Sequence, residues 1–381
     1  MDRAEPPSAP RGMLTRRSLL QAAPAALLAS CTDGSDKHGI RQGAVAVGGI
    51  LTGPGRTLRA LVSGSRRHGH DEPVEVAHRW HIGSNAKAMT AVLYASLVEQ
   101  GRAGWDMTAG AAFPGLAMHA AWRSVPLTAF LSHSSGLSDR GVLGAWRLIN
   151  SELDERPLPK QRRGFVAEAL ADPPAGTAGK FEYANANYVL VGSAIERITG
   201  APWEEAMKRL LFEPLGLASA GFGPPGAAQP WGHKARFFGL GPRRAVAPGP
   251  AADNPPFLFP AGAVHLSLED YARFLRLFLT GGAGLLKPET IRRLTTPTPA
   301  GSNYALGWGV REATAAGGQA LAHEGSNTMW YASCLVAPRL GLAAAAVSND
   351  GTATGAAATR SLVRKLMRGA GGEARGVPVK A

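Results

Sequence analysis

His81-Ile82-Gly83-Ser84-Asn85-Ala86-Lys87-Ala88-Met89-Thr90 is the stretch on which the reading of this chain turns. It contains the only S-x-x-K in the sequence. Met89, Val92, Leu93 and Leu97 recur at helical spacing behind it, and Gly101 sits where a C-terminal cap is expected. Ser84 therefore opens a helix. Residues i and i+3 share a helix face, so Lys87 Nζ can reach Ser84 Oγ. A serine hydroxyl is a weak nucleophile and needs a base within hydrogen-bond reach. The amides of a helix start favour the negative charge that develops on attack. Taken alone the pair proves little, because S-x-x-K arises by chance in a chain of 381 residues and an N-cap serine with an exposed lysine would read the same way.

Two further motifs lie downstream. Tyr183-Ala184-Asn185, the only Y-x-N, sits in a loop leading into a helix. A phenol can shuttle a proton between nucleophile and leaving group, and an amide can hold substrate and lysine in place. The plain alternative is a packed tyrosine beside a turn-forming asparagine. His323-Glu324-Gly325-Ser326 falls on a late strand. We read it as an edge strand on which Gly325 lets a substrate backbone approach. The Ser326 amide is then a candidate oxyanion donor, with that of Ser84 as the second. H-x-G is a weak pattern. His81-Ile82-Gly83 also fits it and is read as incidental.

The surroundings of these motifs define an order of elements. Gly43 to Leu51 and Leu58 to Val62 read as a strand hairpin, and Val74 to Trp80 as a strand approaching the core. Helical pieces punctuated by Pro and Gly follow, including Asn187 to Thr199 and Pro202 to Phe212. Gly221 to Pro256 is Gly/Pro-rich and loop-like. Leu268 to Leu279 and Pro288 to Leu294 are helical. Tyr304–Val310, Ala320–Glu324, Tyr331–Ala337 and Leu342–Ser348 read as strands, and Ala356 to Arg368 as a last helix. Strands at both ends with helices between them imply one sheet built from both termini.

Bulk properties narrow the field. The composition, 45% hydrophobic and 18% charged, is globular. The net charge of +13 is dispersed in short arginine pairs, with no basic stripe interleaved with aromatics, so no nucleic-acid partner is expected. Two cysteines, Cys31 and Cys334, make no disulfide framework, and Cys334 reads as a small buried residue in a strand. There is no G-x-S-x-G, no H-E-x-x-H and no P-loop. No cofactor or metal is expected, and a monomer is.

The N-terminus reads as an export signal over residues 1–31. Thr15-Arg16-Arg17-Ser18-Leu19-Leu20 is a twin-arginine pattern, followed by a short apolar run and small residues. Leu28-Ala29-Ser30-Cys31 fits a lipobox, which would put lipid on Cys31 and attach the protein to a membrane; a plain cleaved signal with an incidental cysteine fits as well. Translation from Met13 instead of Met1 would leave a more typical basic region. The expected location is the periplasm or cell envelope. Residues 32–42 read as a tether, and the tail 369–381 as flexible.

The order S-x-x-K, Y-x-N, H-x-G resembles the serine β-lactamase/penicillin-binding-protein superfamily, in particular its class C-like and esterase-like branch. The flanks add to this. Leu127-Thr128-Ala129-Phe130-Leu131-Ser132-His133-Ser134-Ser135-Gly136-Leu137 looks like that family's LLxHxSGL segment. Ala261 to Asp270 is similar to its G-x-x-S-T-x-x-D entry to a helix, and Tyr304-Ala305-Leu306-Gly307-Trp308-Gly309 to its Y-G-L-G-W strand. The resemblance covers most of Gly43 to Arg368. It implies an α+β fold of three layers, α/β/α. An antiparallel sheet of N- and C-terminal strands would be flanked by helices, with a mainly helical lobe (about 91–257) inserted between two parts of an α/β lobe (about 43–90 and 258–368). It implies Ser84 as acyl-accepting nucleophile, Lys87 as its base, Tyr183 as proton shuttle, and Asn185, His323, Gly325 and Ser326 as oxyanion and substrate-binding residues. His323 stands where the lactamases carry the lysine of K-T-G. A neutral imidazole is a poorer partner than an ammonium for a substrate carboxylate. The expected function is therefore acyl-enzyme hydrolysis of an ester or amide, esterase-like or D-amino-acid-peptidase-like, with β-lactam hydrolysis weak at best. The rival is a non-catalytic penicillin-binding-like module that recognises wall or ligand.

Overall fold

The computed structural model describes residues 39–144, 154–237 and 240–373. Ala46–Thr52 forms β1 and is buried at every position. An apolar run without alternation suits a strand covered on both faces. β1 pairs antiparallel with β2 (Thr57–Gly64) on one side and with β11 (Leu342–Ser348) on the other. β10 (Tyr331–Ala337), β9 (Gly318–Ser326) and β8 (Gly309–Ala313) continue an antiparallel sheet of order β2-β1-β11-β10-β9-β8. Among the described residues, the first strand and the last thus pair with each other inside this sheet.

Side chains alternate across a strand, and this divides the core. Val47, Leu51, Ala344 and Ala346 pack with Leu362 and Leu366 of the C-terminal helix Ala353–Glu373. Ile50, Ala343, Ala345 and Val347 face the other way, into the larger core built around the helix Ala86–Glu99. Alanines along β11 let helices approach from both sides. The helix Ala86–Glu99 is buried from Ala86 to Leu97, which explains why its sequence is apolar or small nearly all round instead of amphipathic. The helix Leu268–Arg276 packs on this second face of β1 and β11, so helix, sheet and helix give the three layers expected.

The inserted segment packs helix Leu158–Ala169 against helix Asn185–Thr199. Arg162, fully buried, fills the junction. Its five N–H groups meet the Glu196 carboxylate at 2.5 Å, both Glu204 oxygens, and the carbonyls of Pro256 and Phe257 at 3.0 and 3.1 Å.

Several sequence expectations need correction. The strand placed over Val74 to Trp80 shrinks to β3, Arg79–His81. The Glu75 amide donates to His78 Nδ1 and the His78 amide to the Glu75 carbonyl, which turns the chain there. β3 belongs to a second sheet with β4 (Gly221–Phe222) and β7 (Val264–Ser267), in the order β3-β7-β4. The segment read as a loop over Gly221 to Pro256 holds a hairpin of β5 (Gly232–Phe237) and β6 (Leu240–Val246); Gly and Pro within it break the alternation that would have revealed it. Tyr304–Val310 is mostly loop. Gly307, at φ +85°, carries the chain so close under Lys87 and Ala88 that a Cβ there would sit 2.8 Å from the Ala88 Cα. The last helix runs to Glu373, into what was read as tail. Residues 1–38, with the export signal, Cys31 and most of the tether, lie outside the described residues, as do 374–381. Among the described residues no helix is long and apolar enough to cross a membrane.

Candidate active site

Ser84 lies in a single 3-10 turn, Gly83–Asn85, that feeds directly into the helix Ala86–Glu99. Gly83 takes φ +52°, which glycine adopts without strain. Asn85 is buried and ties the turn to the sheet: its amide donates to the carbonyls of Ile82 (2.9 Å) and Ala332 (3.4 Å). The thiol of Cys334 on β10 lies 3.4 Å from Asn85 Oδ1, and burial pushes that thiol up to about 11. Cys334 is thus a small core residue, as its sequence context suggested.

The turn meets the end of β9 backbone to backbone. A Cβ on Gly83 would lie 2.4 Å from the Ser326 amide nitrogen; one on Gly325 would lie 2.3 Å from the Ile82 carbonyl oxygen and 2.5 Å from the Ser84 amide. Two glycines from opposite ends of the chain therefore bring the Ser84 and Ser326 amides to the same place. β9 is not an edge strand throughout, as the sequence suggested. β8 covers it from Gly318 to Ala322, and its last residues, His323 to Ser326, run past the end of β8. Gly325→Ala must push this end of β9 off the turn. Misplacement of about 1 Å costs on the order of a hundredfold in rate, so kcat/KM of Gly325→Ala should fall by about that factor with an unchanged far-UV CD spectrum. Wild-type kcat/KM in this variant would contradict the packing.

Lys87 is fully buried. Its Nζ contacts three oxygens: Ala261 carbonyl (2.6 Å), Asn185 Oδ1 (2.8 Å) and Ser84 Oγ (3.0 Å). The first two can only accept, so each takes an N–H. One position on the nitrogen remains, and it faces Ser84. A proton can pass along that contact in either direction.

Asn185 begins the helix Asn185–Thr199 and owes its orientation to Asp139. That carboxylate accepts from the Asn185 amide (2.9 Å), the Asn185 side chain (3.1 Å) and the Ala186 amide (2.9 Å). A carboxylate at a helix N-terminus is where donors and dipole favour it. The side-chain bond forces Asn185 to turn Oδ1 towards Lys87. Asp139 was missed in the sequence; the available signal was a helix start with no capping side chain of its own.

Tyr183 is 41% exposed, and its ring lies 4.9 Å from Lys87 Nζ and 4.3 Å from the His133 ring. His133 is buried, at φ +57°. Its Nδ1 lies 3.2 Å from both the Ala184 amide and the Asn187 side-chain amide, both donors. Burial first, then the charge of Lys87, holds its imidazole well below the usual histidine range, so it stays neutral. The His133 carbonyl also accepts the Glu182 amide at 2.8 Å, so His133 holds the chain on both sides of Tyr183.

His323 is buried behind Tyr304. Its Nδ1 faces the Glu324 carbonyl at 2.8 Å and must donate to it; Nε2 then accepts from the Tyr304 hydroxyl at 3.0 Å. Burial and the nearby Lys87 push it down to about 4, so the ring is neutral at pH 7. Both nitrogens are occupied within the protein. His81, set aside as incidental, is also engaged: Nδ1 accepts the Gly83 amide (3.1 Å) and Nε2 meets Asp253 (2.8 Å). Among the described residues no group of three His, Cys, Asp or Glu side chains could hold a metal ion.

Comparison with known proteins identifies the fold and the family. The chain is 27% identical over 313 residues to penicillin-binding protein 4 of Amycolatopsis lactamdurans, a match covering 78% of this chain and 79% of that one. Its fold is similar to that of a D-amino acid amidase from Ochrobactrum anthropi SV3, with a TM-score of 0.69 at 19% identity, covering 89% and 96% of the two chains. A D-stereospecific amidohydrolase from Streptomyces sp. superposes with a TM-score of 0.67 at 22% identity, covering 86% and 98%. The Beta-lactamase family model matches residues 26–367, and with nearly the whole chain inside that match the protein belongs to the Beta-lactamase family.

Proposed function

We propose that the protein is a serine hydrolase that works through an acyl-enzyme on Ser84. The observation that carries this is the position of Lys87: buried, bound to two fixed acceptors, with its one remaining site 3.0 Å from Ser84 Oγ. In this reading Lys87 reacts as the free amine: its electron pair, on the position facing Ser84, takes the hydroxyl proton as Oγ attacks the substrate carbonyl. The Ser84 and Ser326 amides hold the oxyanion. Tyr183 passes the proton to the leaving group, and Asn185 keeps the lysine in place. Water then releases the acid and regenerates Ser84.

The substrate class follows from His323. Where a substrate carboxylate would seek a cation, this chain offers a neutral imidazole whose nitrogens are both engaged. A hydrogen bond to a charged partner is worth about 1.5–3 kcal/mol, or roughly ten- to a hundredfold in binding. The proposed substrates are therefore esters or amides without a carboxylate beside the scissile bond, D-amino acid amides among them.

A panel tests this: p-nitrophenyl butyrate, D-phenylalanine amide, a chromogenic cephalosporin and a D-Ala-D-Ala peptide. The ester or the amide should be turned over, with kcat/KM about ten- to a hundredfold above that for the two carboxylates. Preference for the carboxylates would overturn the substrate class. No turnover of any, with no covalent adduct from a fluorophosphonate, would favour a binding module instead.

A further inference from the structure

Beneath the two amides runs a buried chain of side chains that reaches the reaction only through the backbone. Its members are His81, Asp253 and Asn327. His81 is fully buried, Asn327 is 2% exposed, and the Asp253 side chain is 3% exposed. The Gly83 amide donates to His81 Nδ1 at 3.1 Å. A ring nitrogen that accepts carries no hydrogen, so the hydrogen sits on Nε2 and goes to Asp253 Oδ2 at 2.8 Å. Asp253 Oδ1 accepts from Asn327 Nδ2 at 2.9 Å and from the Asn254 amide at 2.7 Å. Asn327 Nδ2 also donates to the Ala252 carbonyl (3.2 Å), and its Oδ1 accepts the amides of Met329 (3.2 Å) and Trp330 (3.1 Å). The Trp330 ring stacks on His81 with centroids 5.7 Å apart.

The two ends of this chain are informative. One grips Gly83, the residue before Ser84; the other is Asn327, the residue after Ser326. Each end stands next to one of the two amides assigned to the oxyanion. The middle needs both carboxylate oxygens, one for each arm. Resting on the hydrolase reading above, we propose that His81, Asp253 and Asn327 are positioning residues that set the spacing of the Ser84 and Ser326 amides. They act on the tetrahedral stage of the reaction and do not touch the substrate.

Asp253→Asn is the decisive variant. An amide has one oxygen, so it accepts from His81 or from Asn327 but not from both, at nearly unchanged volume. Preorganised donors matter where charge develops, not in the ground state. The variant should lose about ten- to a hundredfold in kcat on p-nitrophenyl butyrate with KM within about twofold. Affinity for phenylboronic acid, which forms a tetrahedral adduct on a serine oxygen, should fall by the same factor as kcat/KM. Inhibition by butyrate, a trigonal product, should be unchanged. His81→Gln provides a second variant should Asp253→Asn fail to fold, with the same pattern expected. A loop staple without this role would leave the boronate and butyrate constants moving together, or neither moving; either result overturns the proposal. If the wild type itself neither turns over nor takes up an adduct on Ser84, the hydrolase reading fails first. Should the wild type be active and both variants keep its boronate affinity, only the positioning role fails.

Discussion

Ser84→Ala should reduce turnover by about 10⁴-fold or more and abolish fluorophosphonate labelling, because loss of a nucleophile removes the covalent route and leaves only binding and oxyanion stabilisation. The variant should fold normally. Ser84 Oγ makes one contact to Lys87, while the lysine keeps its bonds to Asn185 and Ala261. Neighbouring hydroxyls are poor substitutes. The Ser326 hydroxyl donates to the Trp330 carbonyl at 2.7 Å and accepts the Thr328 amide at 2.9 Å. The Tyr304 hydroxyl is committed to His323. Steady-state rates on the best substrate of the panel, with intact mass after labelling, make the measurement. A residual rate above about a tenth of wild type would mean that the chemistry runs through another group.

The largest expected stability effect lies away from the chemistry. Arg162→Leu strands Glu196 and Glu204 at the junction of the inserted helices and leaves the Pro256 and Phe257 carbonyls without their donor. Removing one partner from a buried ion pair costs about 3–5 kcal/mol, a large share of the roughly 5–15 kcal/mol that holds a typical domain together. For a domain of this size that corresponds to a fall in Tm of roughly 4–7 °C. The cluster is costly even when intact: burial, only partly offset by Arg162, raises the Glu196 carboxyl above its ordinary range. Replacing all three by leucine should therefore recover much of the loss, since well-packed apolar groups often match a buried ion pair. Differential scanning calorimetry of the single and triple variants checks this. A single variant as stable as wild type would show that the network contributes nothing.

How far the sequence anticipates this molecule depends on the range of the signal. β10 and β11 appear with the residues expected, because short apolar runs bounded by turn residues, as Leu342 to Ser348 is by Gly341 and by Asn349-Asp350-Gly351, suit strands covered on both faces. Ser84, Lys87 and Asn185 meet because one helix start sets the first two and a second presents the third. Asp139, His133 and Asp253 were not legible as site residues. Each acts at a distance in sequence, on a backbone amide or another side chain, and nothing in the local pattern around Asp253 marks it off from an ordinary loop aspartate. His81 was visible but misjudged, because a three-residue pattern says nothing about what stands opposite its ring. The hairpin of β5 and β6 was hidden by its Gly and Pro residues. The role of His323 changed most: the substitution for lysine is plain in the sequence, whereas its enclosure by Tyr304 and the Glu324 carbonyl is a property of the fold alone.

The contact between Gly83 and Gly325 also bears on when the protein becomes reactive. The serine and its lysine are made early and sit on one short local segment, whereas the second amide arrives about 240 residues later on β9, held by strands that close only when β11 reaches β1. Contacts so far apart in the chain form late in folding. A growing or C-terminally clipped polypeptide thus carries the Ser84 hydroxyl without the Ser326 amide. On the serine-hydrolase reading proposed above, turnover is therefore expected only from chains in which β9 has docked on the Ser84 turn, and not from fragments that merely contain Ser84.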